Sequence, residues 1–231
     1  MKQFLLLLSF FTGHLLFSQD YLIKERFEPD KFSVKDTFKL FSSNHKFVYG
    51  WALNTNINEE DELVTVWGSN LFSFSYAYNK PLYKGFHWNF GIGYNADNYR
   101  LKSRSDMMLH DSIGHEKVKL RVQHAFLKSG FRLQSSGNDL TSFYFEVLGY
   151  FNVKTISKYD TWDKFESMKL RSSTSRLSYV NPYNYGVEAK VGYGFIAIYS
   201  RYRISNIFDS ESGFRELPRL ALGITFEVSP Y

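Results

Sequence analysis

The chain has no cysteine in its 231 residues. That excludes disulfides, thiol nucleophiles, cysteine-zinc sites and a lipid anchor on cysteine. Repeated apolar runs of about 20 residues are missing too, so it is not a helical polytopic membrane protein. Charge of one sign is in small excess: Lys plus Arg is 28 against 23 for Asp plus Glu, a formal +5. The excess is too small and too scattered to point to nucleic acid.

Aromatic residues are what the chain has in quantity. Phe 23, Tyr 17 and Trp 4 make up 19 % of it, while hydrophobic residues overall are an ordinary 44 %. That aromatic content argues against disorder. Two architectures fit: a soluble all-β protein, or a β-barrel whose apolar face lies in lipid.

The first residues read as an export signal. Lys2 supplies a positive charge, and the apolar run from Phe4 to Phe11, continued by Leu15, Leu16 and Phe17, is too short and too diluted for a spanning helix. The expected signal peptide is 1–18, cleaved after Ser18. Residues 19–45 are expected as a periplasmic lead, with a short amphipathic helix over 33–41 from Ser33, Val34, Asp36, Phe38 and Phe41. Residues 46–231 are then the barrel.

From Lys46 the hydrophobic period becomes two. Phe47, Tyr49, Trp51 and Leu53 share a parity; so do Phe72, Phe74, Tyr76 and Tyr78, and Phe86, Trp88, Phe90, Ile92 and Tyr94. Phe143 to Val153, Tyr183 to Val191, Ile196 to Ile204 and Leu220 to Val228 repeat the pattern. The stretch from Val118 to Leu133 is less regular, with Val118, Leu120 and Val122 on one parity and Ala125, Leu127, Phe131 and Leu133 on the other. A bulge near Gln123-His124 is expected to reconcile them.

The alternation predicts an all-β fold, an eight-stranded antiparallel up-and-down barrel. Its links alternate in length. Thr55–Ser69, Lys102–Lys117, Ile156–Val180 and Asn206–Glu216 are long; Lys80–Gly85, Gln134–Asp139 and Gly192–Gly194 are short. Short periplasmic turns and long outer loops are the habit of outer-membrane barrels. The bulky face is nearly free of charge, whereas the small and polar face carries several ionisable groups. An eight-stranded interior is narrow, so the bulky face is expected outside, in lipid. A soluble eight-stranded barrel is the rival.

Several stretches resemble the small outer-membrane β-barrel proteins of the Bacteroidota type, a group that includes PorT-like secretion proteins. They are Gly68-Ser-Asn-Leu-Phe-Ser-Phe-Ser75, Phe90-Gly-Ile-Gly-Tyr94, Lys117-Val-Lys-Leu-Arg-Val-Gln123, Tyr185-Gly-Val-Glu-Ala-Lys-Val-Gly192, Tyr199-Ser-Arg-Tyr-Arg-Ile-Ser-Asn-Ile-Phe208 and Leu220-Ala-Leu-Gly-Ile-Thr-Phe226. The resemblance implies an outer-membrane location, no cofactor and no shared catalytic residues.

Candidate chemistry is sparse. Asp106, His110, Asp111, His115 and Glu116 fall in one loop but match no metal-site spacing; a solvated loop is expected. The strand histidines, His87 and His124, lack a serine partner in sequence, so no enzyme is expected. Lys46, Glu146, Glu188, Lys190, Arg201, Arg219 and Glu227 lie on the inner parity and are expected to pair as a charge network filling the interior. A narrow pore or small-ligand transporter is the alternative, and a lipid-modifying enzyme the third.

The third long loop is basic through Lys158, Lys164, Lys169, Arg171 and Arg176, which suits anionic lipopolysaccharide or a protein partner. The bilayer and the barrel-insertion machinery are the other expected partners, with Phe226 or Tyr231 as the C-terminal aromatic signal. The expected role is structural or adaptor-like, in the cell outer membrane, as part of a protein export system.

Overall fold

The structure, a computed structural model, describes residues 44–55, 64–101, 116–135, 142–165 and 168–229. The expected signal peptide 1–18, the helix over 33–41, the loop residues Asp106, His110, Asp111 and His115, and Tyr231 lie outside the described residues.

The described chain is all-β. Its strands are β1 (His45–Thr55), β2 (Asn70–Tyr83), β3 (Phe86–Leu101), β4 (Lys117–Gln134), β5 (Phe143–Phe165), β6 (Met168–Ser175), β7 (Tyr183–Tyr193), β8 (Ile196–Arg203) and β9 (Leu220–Val228). All pairings are antiparallel, in the order β4-β3-β2-β1-β9-β8-β7-β5-β6, and a further β4–β5 pairing closes the sheet into a ring. The first strand pairs with the last, from Phe47↔Val228 to Thr55↔Leu220.

The sheet therefore has nine strands where eight were expected. The ninth, β6, pairs only with the distal part of β5, from Lys158↔Ser175 to Phe165↔Met168, and takes no part in closing the ring. What the sequence presents as a long third loop is a β-hairpin. Its apolar residues, Tyr159, Trp162, Phe165, Met168 and Leu170, are scattered among charged and hydroxyl residues, so the hairpin lacks the sustained alternation that marks a half-buried strand.

Period two decides which side each residue faces. On β1 the outward residues Tyr49 and Trp51 are exposed, and Lys46, Val48 and Ala52 on the other parity are buried. The same division runs round the ring. Phe72 is 51 % exposed, Phe145 46 % and Ile198 70 %. Rings from neighbouring strands meet on this outer face: Tyr49 and Phe74 at 5.0 Å between centroids, Phe143 and Tyr193 at 4.7 Å, Phe86 and Phe131 at 5.3 Å.

The expected bulge needs correction. β4 keeps one parity along its length, with Val118, Leu120, Val122, His124, Phe126, Lys128 and Arg132 all buried. A register shift does occur at Gln123/His124, but Gln123 pairs with Ile156 and His124 with Lys154, so the extra residue is Thr155 of β5. β4 changes the environment it meets, not its face. Its inner aliphatic residues join a cluster at the long-loop end, whereas Leu127, Phe131 and Leu133 lie on the outer face.

That cluster gathers Val64, Tyr99, Leu101, Val118, Leu120 and Val122 with Leu177, Val180, Ile207, Phe208 and Leu217 from the connecting segments. Bridges Val64↔Leu101 and Val180↔Phe208 hold those segments in place. Burial of this apolar surface folds the connections onto the inner face of the ring.

Candidate functional site

Aromatic residues on the inner side of the ring lie over glycines of the next strand. Phe126 is paired with Gly93, Tyr144 with Gly192 and Tyr150 with Gly186. A Cβ on Gly192 would stand 2.4 Å from the Tyr144 ring, and one on Gly186 would meet the Tyr202 carbonyl at 2.1 Å. Only glycine leaves room for these rings in so narrow a space. On their other faces they carry cations: the Arg132 guanidinium lies 3.5 Å from the Tyr144 centroid and that of Arg201 lies 4.0 Å from Tyr150.

The charges interlock through three glutamates. Glu188 meets Lys128 at 2.7 Å, Lys190 at 3.6 Å and Arg201 at 3.6 Å. Glu146 meets Lys190 at 3.6 Å and Arg132 at 3.7 Å, and accepts from the Asn89 amide at 2.7 Å. Glu227 meets Arg132 at 2.7 Å and Lys46 at 3.2 Å. All of these side chains are buried. Removal from water costs several kcal/mol per ion, about the scale that only dense pairing offsets.

Six of the residues named from the sequence are thus brought together: Lys46, Glu146, Glu188, Lys190, Arg201 and Glu227. Arg219 is not among them. It precedes β9, in an irregular segment, and its guanidinium donates to the Asn206 side chain at 2.7 Å and the Ile204 carbonyl at 3.4 Å. Lys128 and Arg132, which the sequence reading passed over, are central. Their signal was the inner parity of β4 beyond His124, obscured by reading that strand as two halves.

Towards the long-loop end a polar layer follows. His124 is buried, with the Asn95 amide 3.0 Å from Nδ1, the Asn184 amide 2.8 Å from Nε2 and Asp97 at 3.5 Å. Both ring nitrogens are engaged, and the ring sits away from the outer face. Arg203 then ties down the last connection. It donates to Glu216 at 2.5 Å and to the carbonyls of Ser205, Leu217 and Pro218 at 3.0–3.1 Å. Glu216 in turn accepts from the Ile207 amide at 3.0 Å. A space of about 20 Å³ is left between Asp97, Tyr150, Arg201 and Arg203. That is room for about one water.

Of the basic residues assigned to the third loop, Lys158 belongs to β5, and Lys169 and Arg171 to β6. Lys164 pairs with Lys169 through the backbone, near the hairpin tip. Arg176 takes a left-handed conformation, φ 60°, directly after β6. Phe226 faces outward on β9. Among the described residues no group of three or more His, Asp or Glu side chains is arranged to hold a metal ion.

The fold and its interior define a closed antiparallel sheet, charged within and apolar without. No family model matches the chain, and no curated protein matches it.

Proposed function

We propose that this chain is an eight-stranded transmembrane β-barrel of the bacterial outer membrane, with β6 as an extension outside it. Its role is non-enzymatic, as a structural or adaptor component of an export system. One observation carries the membrane reading. Large apolar side chains lie exposed in a belt round the whole ring, while the charged groups at that level point inward. Water-soluble monomers rarely expose contiguous apolar patches beyond a few hundred Å², and lipid is the solvent that reverses the usual order. The likeness to PorT-like proteins supports the export role. The filled interior and the apolar cluster at the long-loop end favour a plugged barrel over a pore.

Membrane fractionation with an unheated gel tests the first part. Recovery in the outer membrane and a faster-migrating unheated band are expected; a soluble chain without a band shift overturns it. Planar-bilayer recordings test the second part. Stepwise ion conductance from the purified chain would overturn the plug and favour the narrow pore. Crosslinked pull-down of periplasmic secretion components tests the adaptor role.

A further inference from the structure

Above the apolar belt, the outer face of β3–β6 changes character within one pair of residues. Tyr94 closes the belt, its hydroxyl donating to Gln123 at 2.6 Å. Beyond it, cross-strand pairing lines up rows of cations. Arg121 stands opposite Lys158, Arg100 opposite Lys119, and Lys119 opposite Asp160. The next row sets Lys117 beside Trp162 and Trp162 beside Arg171, whose guanidinium lies 5.2 Å from the indole.

Asp160 is the carboxylate inside these rows, and it is already shared by Lys158 at 3.6 Å and Arg171 at 3.4 Å. Positive charge therefore remains in excess. Burial holds the Lys119 ammonium below its ordinary value, and the neighbouring Arg121 guanidinium adds to this while Asp160 opposes it. A cavity of about 570 Å³ opens beside them, lined by Arg100, Lys117, Lys119, Trp162 and Lys169 and also by Glu116 and Asp163, the Glu116 backbone amide donating to the Asp163 carboxylate at 3.4 Å. That volume is in the range of small-molecule sites, roughly 300–1,000 Å³.

We propose that this face binds the phosphorylated sugar headgroup of an outer-leaflet glycolipid. The proposal rests on the membrane reading above. In that reading the cationic rows lie at headgroup level, directly over a belt that meets acyl chains. The guanidinium and ammonium groups pair with the phosphates, and the Trp162 indole offers a flat face to a sugar ring. The site commits to a lipid-borne phosphate, because the cations face outward from the ring and continue the lipid-facing surface.

Binding of bis-phosphorylated lipid A and of fully dephosphorylated lipid A to the refolded full chain in detergent micelles tests this. Phosphorylated lipid A is expected to bind at least tenfold more tightly. The triple variant R100Q/K119Q/R121Q is expected to lose that preference while keeping the unheated band shift. If that variant fails to fold, K169A/R171A on β6 is expected to weaken binding severalfold. The variant K80Q/K84Q, at the opposite end of the ring, is expected to bind as the natural chain does. Equal binding of both lipids, or an equal loss in K80Q/K84Q, overturns the site. A membrane-embedded chain with no preference overturns the site alone. A chain that prefers phosphorylated lipid A yet fractionates as soluble overturns the membrane reading alone.

Discussion

The Lys128 ammonium lies 2.9 Å from Oε1 and 2.7 Å from Oε2 of Glu188, although their strands, β4 and β7, are not neighbours. β5 runs between them and contributes Glu146 to the same cluster. The pair therefore bridges over β5, and Arg132–Glu227, from β4 to β9 four strands away, braces the ring across its width.

Glu188→Gln leaves Lys128, Lys190 and Arg201 without their shared carboxylate. Removing one partner of a buried ionic cluster costs about 3–5 kcal/mol. The unheated band is expected to disappear at a lower urea concentration than in the natural chain. A double replacement, Lys128→Met with Glu188→Leu, is expected to recover part of that loss. Densitometry of the folded band against urea checks both.

Gly186→Ala places a methyl against the Tyr202 carbonyl and the Tyr150 ring. Overpacking of this kind costs about 1–3 kcal/mol. Slower folding into micelles and a lower melting temperature of the folded band are expected. Adding Tyr150→Phe relieves only the contact with the hydroxyl, so it is expected to restore little.

Trp51 faces outward in the belt, whereas Trp67, 87 % exposed, lies in the short 3₁₀ turn Val66–Gly68 before β2. In single-tryptophan variants reconstituted with lipids brominated on the acyl chain, Trp51 fluorescence is expected to be strongly quenched and that of Trp67 little changed. Equal, weak quenching of both would count against lipid at the outer face.

Burial pushes the Asp160 carboxyl up, but the Ser173 hydroxyl, Lys158 and Arg171 outweigh it and hold it below the ordinary carboxylate value. A lowered carboxyl contributes stability that is fully present above its unfolded value, about 3.9, and is lost as pH falls through the folded one. The β5–β6 hairpin is therefore expected to loosen in strong acid before the ring does. Hydrogen exchange at 158–165 and 168–175, corrected for intrinsic rates, should rise below about pH 4. Asp160→Asn is expected to remove that dependence.

Much of this was legible in period two. Phe72, Phe74 and Tyr76, or Leu222, Ile224 and Phe226, announce a strand with one bulky face, and the structure puts those residues on the outside. β4 misled because apolar residues are stable in two places here, on the outer belt and under the connecting segments. Val118 and Leu127 are both apolar for different reasons, and the pattern records only that they are apolar. β6 was missed because only Met168 and Leu170 alternate with Lys169 and Arg171, and Ser172 to Ser175 add no apolar residue to extend that face. Arg219 was placed inside by extending the parity of β9 one residue past its start.

The sequence by itself determined the strands that close the ring and which residues of a strand share a face, because alternation is a local property fixed by the pleat of the backbone. The tertiary structure decided which charges meet. Glu188 finds Lys128, and Glu227 finds Arg132, only after the ring has closed and brought non-adjacent strands within reach of one another. Which Tyr rests on which Gly, and whether an aliphatic residue turns to the outer belt or to the capped end, follow from the same closure and the same shortage of interior space.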